Sequence, residues 1–218
     1  MKTGSFEGSF TFFADRCIFV NCKPKIGLQV YEEVAAMHIT NRQLTLTALC
    51  AALISVLSPI AIPLGNLVPV SLATLAVMIS AVLTGPLLSA FAVMIYILLG
   101  IMGLPVFAGF SSGASIAFGM TGGYIFGYLL LALCTGYGAL LSRHMESLNK
   151  SRAVLLCSMI IGTLLLYTAG TACFMKYTGM HLSACLAACV LPFLPGDFVK
   201  MILVIILGER LAPLIQKR

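Results

Sequence analysis

Asp197 and Lys200 lie three residues apart in the stretch PGDFVK, at 195–200, with LSACLAACVLPFL before it and MILVIILG after it. An ionised side chain in the middle of a membrane helix costs about 2.5–3.5 kcal/mol on insertion scales. A helical spacing of i and i+3 puts both groups on one face, close enough to pair. Two structural explanations compete with a chemical one. Asp197 could cap a helix that starts after Pro195 and Gly196, and Lys200 could snorkel to an interface. The chemical reading is a polar pocket, with a lysine to meet an anion or carbonyl oxygen and an aspartate to accept N–H donors. A ligand with a carboxylate at one end and N–H groups at the other would use both.

The setting favours a membrane. The chain has 218 residues, 60% hydrophobic and 9% charged, with a mean hydropathy of +1.06. A soluble domain carries about a quarter charged residues. From Gln43 to Ser142 there is no Asp, Glu, Lys or Arg at all. The apolar runs are continuous, not alternating, so helices are expected rather than a barrel. Spans of about 20 residues read at 44–62, 68–84, 87–103, 121–141, 153–175 and 182–210, the last interrupted near Pro192 and Pro195. The expected fold class is an all-α membrane protein, a bundle of six transmembrane helices.

The net charge of +6 does not point to nucleic acid, because the basic residues flank spans. Apart from Lys200, they cluster in the first 42 residues, at Arg143–Arg152 and at Arg210–Arg218, with Lys176 as an outlier. The positive-inside rule then places both termini in the cytoplasm. Residues 1–42 read as a cytoplasmic extension, with Met37 as a possible alternative start, and 43–218 as the transmembrane domain.

Catalytic patterns are missing. His38, His144 and His181 share no evident site with a nucleophile, and no HExxH, phosphate loop or dinucleotide fingerprint occurs. Cys17 and Cys22 lack a second ligand pair for zinc, and six of the eight cysteines sit in apolar runs. No metal or cofactor is expected. The segment 103–124, GLPVFAGFSSGASIAFGMTGGY, is uncharged and rich in Gly and Ser. Irregular backbone at a membrane needs protein or a cavity around it, so this loop reads as a packed lid or re-entrant piece. Gly109 within it permits close backbone approach, and Thr121 is placed to cap span four. Ala48 and Ala52, four apart on span one, allow close helix contact.

The run GPLLSAFAVMIYILLGIMGLPVFAGFSSG, then GMTGGYIFGY, and much later LPFLPGDFVK closely resembles the biotin-specific S component (BioY) family of energy-coupling factor transporters, an ABC type. The resemblance runs from Gln43 to the C-terminus. It implies six membrane helices binding biotin near the outer surface. Asp197, Lys200 and the loop after span three would form the pocket, with Phe107 and Tyr124 against the rings and Ser111 and Ser112 as lid hydrogen bonders. It also implies that Ala48 and Ala52 dock on a transmembrane coupling subunit, with two ATPases completing the complex, so that the chain itself is not an enzyme. Which ligand end meets Lys200 stays open. One departure is visible: where relatives often carry Thr-Leu-Gln, this chain has Ser71-Leu72-Ala73. Ser71 keeps a hydroxyl for the site, while Ala73 loses the amide. The competing classes are a small membrane enzyme and a self-sufficient carrier built on the same Asp/Lys pair.

Overall fold

The computed structural model describes residues 40–62, 70–145, 147–190 and 193–216, which belong to one compact unit, Thr40–Arg218. The extension read over 1–42, apart from its last three residues, lies outside them, as do Cys17, Cys22, His38, Met37 and Pro192. The order is α1 (Asn41–Leu57), β1 (Ala61–Ile62), β2 (Val70–Ser71), α2 (Ala73–Thr84), α3 (Pro86–Ile101), a 3-10 turn (Ala108–Phe110), α4 (Ala114–Ala117), α5 (Gly122–Arg143), α6 (Leu148–Thr178), α7 (Leu182–Cys189) and α8 (Leu194–Gln216).

Local chemistry sets these boundaries. At the head of α1 the Thr40 N–H donates to Gln43 Oε1 at 3.1 Å, one half of a capping box. A single residue, Gly85, separates α2 from α3. Its φ of 85° is open to glycine, and Pro86 follows at the first helical position, where a missing N–H costs nothing. The expected span at 68–84 is helical only from Ala73, because β2 pairs antiparallel with β1 just before it. Ser71 fixes that switch: its hydroxyl donates to the Ser58 carbonyl at 2.8 Å and accepts the Ala73 N–H at 2.9 Å. The 12 residues of α2 therefore rise only about 18 Å. By contrast α5 and α6, with 22 and 31 residues, are each long and apolar enough to cross a bilayer. The span expected at 182–210 is two helices, α7 and α8, with Pro195 in the first turn of α8.

The helices alternate in direction. One end of the bundle collects the C-termini of α1, α3 and α6 and the N-termini of α2, α5 and α8. There Ser58 Oγ and Tyr96 Oη lie 2.7 Å apart. At the other end Arg143 Nη2 donates to the Val82 carbonyl at 3.1 Å, and Arg152 grips Glu209 in a two-pronged ion pair of 2.5 and 2.8 Å. The core between them is apolar, built on Ile54, Met78, Val93, Leu131, Met159, Leu166, Phe174 and Val204. Outside, Leu49 and Val56 of α1, Leu98 of α3, Ile161 and Leu164 of α6, and Val199 and Ile206 of α8 are exposed. Such an apolar exterior is what lipid covers.

Candidate functional site

Pro195 and Gly196 lie in the first turn of α8, which also carries Asp197; Lys200 follows on the same inward face, the two being 4% and 7% exposed. Neither structural explanation from the sequence holds. The Asp197 carboxylate lies inside the helix and turns to side chains, and the Lys200 chain runs inward instead of to the surface. Lys200 Nζ donates to Asp197 Oδ1 at 3.0 Å, to the Ser71 carbonyl at 2.8 Å and to Thr74 Oγ1 at 2.9 Å. Thr74 in turn donates to Asp197 Oδ1 at 3.4 Å, and the Tyr167 hydroxyl donates to Asp197 Oδ2. A buried ion pair is tolerable only when its remaining polar atoms are satisfied. Here β2, α2 and α6 all contribute to that.

This network walls a cavity of about 250 Å³. The β2–α2 corner supplies Ser71 and Thr74, and α3 supplies Tyr96. The segment between α3 and α5 supplies Phe107, Ala108, Ser111, Ile116 and Thr121. From α5 come Tyr124, Ile125 and Tyr128, from α6 Leu166 and Tyr167, and beside α8 lies Phe193. Small-molecule sites have this character: an apolar and aromatic lining with a few convergent polar groups.

The α3–α5 segment roofs the cavity and is fastened at several points. Phe107 is buried and meets Tyr96 edge-on, centroids 5.6 Å apart. Its ring fills the notch over Gly100, where a Cβ would fall 2.1 Å from Phe107 Cζ. The Phe107 N–H donates to the Ser111 carbonyl at 3.0 Å, the Gly109 N–H to the Pro59 carbonyl at 3.2 Å, and the Gly113 N–H to the Gly100 carbonyl at 2.8 Å. Phe110 takes the strain of this tight path with a φ of 59°.

Of the residues singled out from the sequence, Ser71, Phe107, Ser111, Thr121, Tyr124, Asp197 and Lys200 come together around one cavity. Gly109 and Ser112 do not line it. Gly109 faces out and serves as a backbone latch, and Ser112 is half-buried beside it. Thr121 stands at the head of α5 without a side-chain cap; its hydroxyl reaches back to the Ile116 carbonyl at 3.5 Å. Ala48 and Ala52 both face outward on α1, while their neighbour Ala51 is buried. Sequence reasoning missed Thr74, Tyr96, Tyr128 and Tyr167. Two signals were available: Thr74 follows Ser71 at the same spacing that separates Asp197 from Lys200, and a tyrosine in an apolar span needs a partner for its hydroxyl.

Fold and cavity together define a helical membrane protein with a polar-tipped binding site among the described residues. Residues 32–217 match the BioY family. The chain is 39% identical over 165 residues to the biotin transporter BioY2 of Lactococcus lactis subsp. cremoris (strain MG1363), covering 76% of this chain and 87% of that one. It is 36% identical over 173 residues to the biotin transporter BioY of Thermotoga maritima, covering 79% and 97%. A crystal structure at 2.1 Å of the S-component for biotin from an ECF-type ABC transporter superposes with a TM-score of 0.70 at 27% identity, covering 79% of this chain and 94% of that one. The chain belongs to the BioY family.

Proposed function

We propose that this chain is the membrane subunit that captures biotin from outside the cell and delivers it inward with an ATP-driven coupling module. The observation that carries the reading is the buried Asp197–Lys200 pair on the wall of an aromatic cavity, in a chain whose relatives are named biotin transporters. Biotin offers a urea-like ring with N–H donors and a carbonyl, an apolar thioether ring and a carboxylate tail. The cavity offers a carboxylate acceptor, itself paired with an ammonium, and aromatic walls in that same compass.

The orientation follows from charge. Arg143, Arg152 and Arg210 lie at the end of the bundle away from the cavity, and the positive-inside rule assigns that end to the cytoplasm. The cavity then opens toward the outer face of the plasma membrane of a bacterial-type cell, with six crossings, both termini inside, and α7 and α8 sharing the last. The outward-facing Ala48 and Ala52 on α1 make a flat, small-residue strip suited to close helix contact. They are the proposed seat for the transmembrane coupling subunit, behind which two ATPases would supply the energy. The Ser71, Thr74, Tyr124 and Phe107 side chains complete the proposed substrate site.

A calorimetric titration of biotin into the detergent-purified chain tests the reading. Saturable one-to-one binding below micromolar is expected, and no binding in that range would reject it.

A further inference from the structure

The Lys200 ammonium has three N–H donors, and three acceptors already hold them: the Ser71 carbonyl, Thr74 Oγ1 and Asp197 Oδ1, at 2.8, 2.9 and 3.0 Å. Asp197 is less fully used. A carboxylate has about four lone-pair sites, and Lys200, Thr74 and Tyr167 take three of them. The pair therefore shows the cavity no net charge, no spare cationic donor and a remaining acceptor. No other Asp, Glu, Lys, Arg or His lines the cavity among the described residues.

Nor do the other described residues bring a counter-charge to it: His181, at the head of α7, is exposed. From Gln43 to Ser142 the sequence has none, so the roof is neutral. Lys176 is exposed on α6. It stands nine residues beyond Tyr167, which at 100° per residue is half a turn around the helix, away from the cavity face. The two roof hydroxyls that line the cavity are engaged as well: Ser111 donates to the Ala108 carbonyl at 2.8 Å and Thr121 to that of Ile116 at 3.5 Å. An anion pushed against the Asp197–Lys200 pair would meet the Asp197 carboxylate with no free cation to offset it. A neutral ring with N–H donors would instead complete Asp197.

We propose that the cavity selects its ligand by the uncharged urea-like ring and is indifferent to the charge of the tail, so that neutral-tailed derivatives such as the primary amide of biotin bind the same site. The inference rests on the reading of the cavity as a biotin site. The experiment is a pair of calorimetric titrations of the full-length purified chain, one with biotin and one with its primary amide, each at low and high salt. The expected result is a Kd for the amide within about threefold of that for biotin, with neither affected by salt. Amide binding weaker by more than about tenfold, while biotin binds, overturns the inference and shows that a cation reads the carboxylate. Lys200→Met sharpens the outcome: equal proportional loss for both compounds is expected, and loss confined to the acid overturns it. The comparison on the unaltered chain stands even if that variant does not fold. Failure of both compounds to bind is a different result, which removes the biotin reading and this inference with it.

Discussion

The two faces of α6 are held by opposite means. Toward α5 it is packed. Gly123, Gly127 and Gly138 on α5 meet Ala169, Leu166 and Ser158, and Gly162 on α6 meets Leu131 and Cys134. Small residues here let backbones approach, which is how helices associate where lipid removes the hydrophobic drive. Toward α8, contact along the helix is sparse, and two polar pins define it. Tyr167 binds Asp197 at the cavity end, and Arg152 binds Glu209 at the other. Between the pins lies an apolar groove of about 120 Å³ lined by Ile160, Thr163, Leu164, Phe198 and Met201. One seam is thus held by shape along its length, and the other chiefly by the buried hydrogen bond at its cavity end.

Substitutions that separate these two modes should differ in size. Lys200→Met should be the most damaging, because it strands the Asp197 charge inside the protein. A loss of about 3–5 kcal/mol is expected for breaking a buried pair, measured by unfolding in a graded detergent series. Tyr167→Phe, which removes one hydrogen bond to a charged group, should cost about 1.5–3 kcal/mol and weaken biotin binding, since Asp197 loses a fixed orientation. Unchanged binding would show that Asp197 is held well enough by α2 alone. Gly123→Ala should cost about 1–3 kcal/mol by overpacking, because its new Cβ would fall 2.5 Å from the Ala169 carbonyl oxygen, which is backbone and cannot swing away. Biotin affinity should change less than in Tyr167→Phe. Glu209→Gln should leave the melting midpoint unchanged: the pair with Arg152 is solvent-exposed, and such pairs contribute little. A clear drop would mean that the far pin carries weight that exposure alone does not indicate.

The same contrast explains what the sequence made legible. Asp197 and Lys200 stand out because charge is costly in an apolar run, and Phe107 and Tyr124 because the loop around them has no ordinary reason to be free of charge. The tertiary partners are different. Nothing in the composition around Thr74 or Tyr167 announces that α2 and α6 bring them within hydrogen-bond reach of one carboxylate. The span expected from 68 starts as a strand for a related reason, since a hydropathy window cannot see the pairing of β1 with β2 or the bond from Ser71 to Ser58. Thr121 shows the limit of local rules. It is the right residue at the right place to cap α5, yet its hydroxyl turns back into the roof. Family membership was readable because the Gly-rich loop and PGDFVK occur together, in order, far apart in the chain.

The roof fastening has a consequence for kinetics. The Phe107 ring seated on Gly100, the Gly109 N–H on Pro59 and the Gly113 N–H on Gly100 involve no ionised group. Salt acts on charges, so it has no grip on this closure. Temperature does, because an apolar contact in water loosens as the solution cools. The rate at which the cavity opens to a ligand should therefore be nearly flat in ionic strength, and Gly100→Ala, which evicts the ring from its notch, should speed it.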